Sequence, residues 1–161
     1  MKKITIMTPC YNEEGNVEDL YLRVKEVFNQ LPNYEYEHLF IDNASQDKTV
    51  DELKKIAQKD PGIKVIVNAR NFGPVRSGYY GILQCYGDAV IPIVADLQDP
   101  PELILEFVKK WEEGYKVVKA VKTPMKEGAF FYFARQIFYY LMDNLSDIKI
   151  TRNFTGFGLY D

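Results

Sequence analysis

Carboxylate and carboxamide side chains gather in four short runs of this sequence, each directly after an apolar stretch. Residues 4–8 lead into Pro9-Cys10-Tyr11-Asn12-Glu13-Glu14, and residues 36–41 into Asp42-Asn43-Ala44-Ser45-Gln46-Asp47. Residues 63–67 are followed by Asn68-Ala69-Arg70-Asn71-Phe72-Gly73, and residues 89–95 by Asp96-Leu97-Gln98-Asp99. Oxygen donors of this kind hydrogen-bond a base or a ribose and are hard ligands for a divalent cation. Asp96 is the sharpest candidate, because an acid after a wholly apolar strand must be exposed or paired. Taken singly, the others each have a plainer use. Asn12 and Glu13 suit the start of a helix, residues 42–47 suit a turn and N-cap, and Asp99 before two prolines suits a turn. Arg70 and Arg76 fit phosphate contacts and solvated surface equally well. His38 lies within a strand pattern and reads as a satisfied structural residue, not a catalyst.

The segments between these runs decide whether they converge. Val17, Leu20, Tyr21, Val24, Phe28 and Leu31 follow helical spacing, and Pro32-Asn33 stops that helix. Asp47 is positioned to cap a second helix with Val50, Leu53, Ile56 and Ala57 on its apolar face. Pro74 opens a third through Tyr86, with Val75, Tyr79, Ile82 and Leu83 expected inward. Gly78 and Gly81 within it suggest close packing against a neighbour. Residues 89–95 read as a central strand covered on both faces, with Pro92 as a blemish. A fourth helix runs from Pro100-Pro101 to Glu113, a fifth strand over 116–121, and a strongly aromatic helix over 129–145. This βαβ alternation predicts an α/β domain with a mostly parallel, doubly wound sheet flanked by helices. Ligands bind such sheets beyond the carboxyl ends of the strands, where the four polar runs fall.

Composition narrows the chemistry further. The 161 residues are 47% hydrophobic and 27% charged, which suits one folded domain with a sizeable core. A net charge of −3 supplies no basic field, so nucleic acid is not the expected partner. Phosphate binding must then come from local geometry or a metal. No Gly-x-Gly-x-x-Gly follows the first strand and no glycine-rich loop closes on Gly-Lys-Ser/Thr, which disfavours dinucleotide dehydrogenases and P-loop enzymes. Cys10 and Cys85 read as reduced, buried thiols in a cytoplasmic setting.

In order and spacing the four runs resemble the motifs of family-2 glycosyltransferases with the GT-A fold. Pro9 to Glu14 is similar to their opening motif, and Asp42 to Thr49 to their Asp-Asp-Gly-Ser-x-Asp-x-Thr. Asn68 to Gly73 and Asp96-Leu97-Gln98-Asp99-Pro100-Pro101-Glu102 continue the likeness across the chain. The last of these, with Phe138 to Asp147, is typical of transferases that load a sugar onto polyprenyl or dolichyl phosphate. The resemblance implies a nucleotide-diphospho-sugar donor, UDP- or GDP-linked, and transfer with inversion to a lipid-phosphate or glycan acceptor. It implies that Pro9, Tyr11, Glu13 and Asp42 line the nucleoside pocket, with Asn12, Arg70 and Asn71 in the substrate-binding set. Asp96 and Gln98 would approach the diphosphate and its Mg²⁺ or Mn²⁺, and Asp96 and Asp99 are the catalytic candidates. A lipid phosphate is already an anionic nucleophile and demands no strong general base.

Two departures bear on activity. Val94-Ala95-Asp96 stands where relatives carry Asp-Ala-Asp, and Thr155-Gly156-Phe157-Gly158-Leu159 stands where they often carry Gly-Asp-Phe-Arg-Leu. A nucleotide-sugar-binding module with little activity is therefore the alternative to an enzyme, and a transferase acting on surface polysaccharide is the alternative acceptor reading. The helix at 129–145 has more aromatic surface than one face can bury. Three occupants fit the remainder: an oligomer partner, protein beyond residue 161, or the membrane interface, to which the resemblance points, at the inner face of the plasma membrane. The expected organisation is one nucleotide-sugar-binding domain over 1–161, cut before a C-terminal membrane or acceptor region.

Overall fold

The computed structural model describes residues 1–121, 133, 137–139, 141, 142, 145 and 151–161. The helix expected over 129–145 lies for the most part outside them. In chain order the described elements are β1 (Lys2–Cys10), α1 (Val17–Asn29), β2 (Tyr34–Asp42), α2 (Thr49–Lys59), β3 (Ile63–Val67) and α3 (Pro74–Leu83). These are followed by β4 (Ala89–Pro92), a 3₁₀ turn (Pro101–Leu103), α4 (Ile104–Glu112), β5 (Val117–Val121) and β6 (Phe154–Tyr160). Residues Met1–Val118 with Phe157–Asp161 form one compact unit, and Lys119–Gly156 form another. In the second, the Asn153 amide donates to the Tyr139 hydroxyl at 3.1 Å.

The sheet order is β3-β2-β1-β4-β6-β5. β1 and β2 pair in parallel from Lys2↔Tyr34 to Cys10↔Asp42, and β3 continues the ladder from His38↔Ile63 to Asp42↔Val67. β4 runs parallel to β1 from Ile4↔Ala89 to Met7↔Pro92, and β6 pairs with β4 antiparallel through Val90↔Tyr160. The doubly wound, mostly parallel sheet expected from the sequence is present. β6, however, was not foreseen as a strand, although Phe157 and Leu159 alternate with glycine and are buried.

Ile4 through Met7 are all buried, as a parallel strand covered on both faces requires. α1 contributes Val17, Leu20, Val24 and Val27 to the core, and α4 contributes Ile104, Phe107 and Trp111. His38 is fully buried in β2, stacked on Phe40 with ring centroids 4.0 Å apart. Its Nε2 meets the Thr8 hydroxyl at 2.9 Å while Nδ1 has no protein partner, so the expected satisfaction holds for one ring nitrogen only. Burial pushes its pKa down to about 3, which keeps the imidazole neutral.

Four local expectations are corrected. The fourth strand ends at Pro92 instead of Ala95, where the proline nitrogen, turned away from β1, has no donor for the other side of the strand. α3 ends at Leu83 instead of Tyr86. It also presents the opposite face to the sheet. Ser77 and Gly81 are its buried residues, while Val75, Tyr79, Ile82 and Leu83 are exposed. The cause is close approach: a Cβ on Gly81 would lie 2.7 Å from Ile41 Cγ1 and 3.0 Å from Met7 Sδ, so α3 can only sit this near with its small residues inward. Gly78, also read as a packing residue, has nothing within 4 Å of such a Cβ.

Candidate active site

The site begins where β1 and β4 part. Met7 O accepts from Ile93 N at 2.9 Å, and no sheet pairing joins the two strands beyond Met7↔Pro92. By the alternation of a strand, the Pro9 nitrogen faces the same side as Met7 and has no donor to leave unpaired. Pro9 therefore ends the β1–β4 ladder at the point where strand order reverses, the position at which open α/β sheets bind ligands. The gap is a cleft of about 360 Å³ lined by Pro9 and Cys10 of β1, Tyr11 and Glu13 just after it, Asn43 after β2, Asn71, Pro74 and Ser77 around α3, and Val94, Ala95 and Asp96 after β4.

The loops after β1 and β2 are locked together. Asn12 N donates to Ser45 Oγ at 2.9 Å, Gln46 N to Asn12 Oδ1 at 2.8 Å, and Glu13 N to Thr49 Oγ1 at 2.8 Å. Glu14 N donates to Asp47 Oδ2, and Lys48 N returns a bond to Glu14 Oε2. Asp42 is fully buried, and both its oxygens accept from Ser45, one from the amide and one from the hydroxyl. Asp47 takes the Thr49 amide from a position just ahead of the N-cap Lys48, so it supports the first turn of α2 from one residue earlier than expected. Ser45, Asp47 and Thr49 thus hold the backbone that presents Tyr11 and Glu13.

A second network was not foreseen. Asn43, 5% exposed, donates from Nδ2 to Asn71 Oδ1 at 2.9 Å and accepts at Oδ1 from Asn68 Nδ2 and Phe72 N. Asn68 Nδ2 also reaches Ser77 Oγ at 3.0 Å, and Asn71 Oδ1 accepts from Gly73 N. Four side chains thereby fix the ends of β2 and β3 to the first turn of α3. The signal was present as a cluster of carboxamides, but which of them face one another is set by sheet register.

Asp96 is exposed at the cleft in a tight turn, with its Oδ1 accepting from Gln98 N at 3.1 Å and Leu97 at φ 59°. Gln98 is exposed on the same turn, outside the cleft lining. Asp99 is buried, 6% exposed, and engaged by its surroundings. Arg23 of α1 grips Glu102 with two bonds of 3.0 and 2.8 Å, tying the segment after Asp99 to the helix that follows β1. Cys10 is buried with its thiol on Ile41 O, and burial foremost, then the Asp42 charge, pushes its pKa up. That makes it an inert wall of the cleft. Cys85 is only half buried; both thiols are free.

Of the residues expected from sequence, Pro9, Tyr11, Glu13, Asn71 and Asp96 meet on the cleft. Asn12 and Asp42 are engaged in the loop interlock, and Arg70 is exposed with its guanidinium 4.8 Å over the Phe72 ring. Among the described residues no three acidic, histidine or cysteine side chains converge on a point. Asp96 and Gln98 nevertheless offer hard oxygens from one turn, a donor set that fits a cation completed by a diphosphate and water. Among the described residues no lysine or arginine lines the cleft, whose charged walls are Glu13 and Asp96. A diphosphate would meet repulsion there unless it arrived with a cation.

Comparison with known proteins agrees with this geometry. The chain is 41% identical over 160 residues to the uncharacterized glycosyltransferase YkcC of Bacillus subtilis, covering 98% of this chain and 49% of that protein. It is 35% identical over 158 residues to the bactoprenol glucosyl transferase of Shigella phage SfV, covering 98% and 51%. The chain thus spans about half the length of these curated relatives. Among solved structures it is similar to the mannosyltransferase PcManGT from Pyrobaculum calidifontis in complex with GDP-Man and Mn²⁺, with TM-score 0.63, 22% identity, and coverage of 76% of this chain and 36% of that one. The fold is the GT-A fold expected from the sequence. With residues 5–161 matching the family described as glycosyl transferase family 2, the chain belongs to that family.

Proposed function

We propose that this protein transfers a sugar, with inversion, from a UDP- or GDP-linked nucleotide-diphospho-sugar to polyprenyl phosphate, with a divalent cation, Mg²⁺ or Mn²⁺. One observation carries the donor half of this reading. The cleft at the β1–β4 switch point has hydrogen-bonding walls and, among the described residues, no cationic side chain, with Asp96 at its edge. The donor reading makes 1–161 a single nucleotide-sugar-binding domain. Tyr11 and Pro9 offer flat apolar surface to a base, and Glu13 and Asn71 offer acceptors and a donor for base or ribose. Asp96 and Gln98 would hold the cation, which when bound neutralises the leaving diphosphate. Asp99, buried under that turn, is assigned to positioning Asp96, and Asn12 and Asp42 to positioning Tyr11 and Glu13. Arg70 stands outside the lining, where it suits the rim of the donor site.

In the transfer, an oxygen of the acceptor phosphate forms the new bond to the anomeric carbon as the bond to the nucleoside diphosphate breaks. The acceptor is already ionised, so the cleft needs no strong base. The acceptor assignment is supported by the likeness to the phage bactoprenol glucosyl transferase.

A second reading is favoured by Val94. It lines the cleft 41% exposed and offers no side-chain oxygen where the resemblance to family-2 transferases implies a carboxylate. On that reading the chain binds nucleotide sugars with little turnover. Calorimetric titration with UDP and GDP in the presence of Mn²⁺ tests the donor site. Binding is expected, with loss on adding a chelator and weakening on the order of tenfold or more for Asp96→Ala. Absence of binding to either nucleotide would sink the proposal. Donor hydrolysis or transfer to polyprenyl phosphate in detergent separates the enzyme from the binding module.

A further inference from the structure

The face of α3 turned away from the sheet has no use in the donor site. Val75, Tyr79, Tyr80, Ile82, Leu83 and Tyr86 are between 42% and 81% exposed on or just after one helix of ten residues. Beside it, β3 is the terminal strand of the sheet, and a pocket of about 420 Å³ opens between the two. Val67, Phe72 and Tyr80 form its apolar walls, and Arg76 stands on it. This pocket lies outside the last strand, whereas the donor cleft lies at the β1–β4 parting.

Charge identifies what such a face would meet. The chain has 23 acidic residues, yet none falls between Asp60 and Asp88, a stretch that carries Lys64, Arg70 and Arg76. Lys64 is spent on Glu37. Arg70 and Arg76 make no ion pair among the described residues. A surface of tyrosine and aliphatic side chains with unanswered arginines matches the interfacial zone of a bilayer bearing anionic headgroups. It does not match a second copy of itself. A two-fold contact would set arginine-bearing faces against each other with no acid from this stretch to separate them.

We infer that the α3–β3 face docks on an anionic lipid bilayer, with Val75, Tyr79 and Leu83 entering the headgroup region and Arg76 taking a lipid phosphate at the pocket. The inference stands apart from the sugar-transfer reading, because vesicle binding requires neither donor nor acceptor.

Flotation of the whole chain with phosphatidylcholine vesicles, with and without phosphatidylglycerol, tests it. Binding is expected only when phosphatidylglycerol is present, and it should weaken at high salt. Arg76→Gln should lower affinity about fivefold, the effect of one cation near such a surface. Tyr79→Ser with Leu83→Ser should lower it by about tenfold or more. Both variants alter exposed side chains, and unchanged circular dichroism and melting would show that they fold. Three outcomes overturn the inference: no flotation with either vesicle, full binding retained by both variants, or variants that change the sedimentation mass without changing flotation. The last would assign the face to a second copy.

Discussion

Asn12, Ala44 and Leu97 all hold positive φ, at 57°, 62° and 59°, and each follows the carboxyl end of a different strand of the cleft. Asparagine tolerates this conformation, whereas alanine and leucine pay roughly 1–2 kcal/mol for it. The strain persists because neighbours over-determine the turn: Ser45 is held to Asp42 on one side of Ala44, and Asn43 to three partners on the other. Relief of that strain, less the added freedom of the unfolded chain, should make Ala44→Gly stabilising by a net of about 0.5–1 kcal/mol, as read from denaturant midpoints. A loss of stability would count against a left-handed Ala44. The family motif that residues 42–49 resemble has glycine at the position of Ala44, which the left-handed backbone angle accounts for. Asp96 and Tyr11 were legible as site residues from type and position. Asn43 was not, because its importance lies in three contacts made across separate strands.

For the elements, propensity and packing disagree at α3. Read by hydrophobicity, the helix should bury Val75, Tyr79, Ile82 and Leu83; it buries Ser77 and Gly81. Two glycines allow the disagreement to be measured. Both lie within the helix, so propensity alone predicts that alanine stabilises at each by up to about 1 kcal/mol. Gly78 faces open space and should show that gain. A Cβ at Gly81 would lie 2.7 Å from Ile41 Cγ1, and overpacking of about 1–3 kcal/mol should outweigh the gain, giving a net loss. Thermal melts of Gly78→Ala and Gly81→Ala should therefore move in opposite directions. The Arg23–Glu102 pair is a different kind of device. It is partly exposed and worth roughly 0–1 kcal/mol, so its effect should be on the placement of the Asp96 turn and not on stability.

Stability of the whole first unit carries a pH signature from one residue. His38 is neutral when folded down to about pH 3, while in the unfolded chain it titrates near its ordinary value of about 6.5. Above pH 6.5 it is neutral in both states and contributes no slope. Below it the unfolded chain binds a proton that the folded chain refuses, so stability falls by up to about 1.4 kcal/mol per pH unit until pH nears 3. Between pH 7 and 5 the wild type should lose about 2 kcal/mol more than His38→Gln, whatever the variant's baseline. Equal losses would show that His38 is not buried as described.

At the same scale, the division between sequence and structure has a plain physical cause. Sequence alone determined the succession of strands and helices up to residue 121, the parallel sheet and the polar runs at the strand ends, because these follow from local periodicity and from the few ways of winding such a chain. It also disclosed Asp96, whose charge after an apolar strand demanded an outlet. Tertiary structure alone decided that Pro9 ends one ladder and opens the cleft, that Asn12 and Asp42 brace loops, and that α3 faces outward with its apolar side. Each of these depends on which residues meet across strands far apart in the chain. Such meetings are set by register and close packing, which a single sequence does not record.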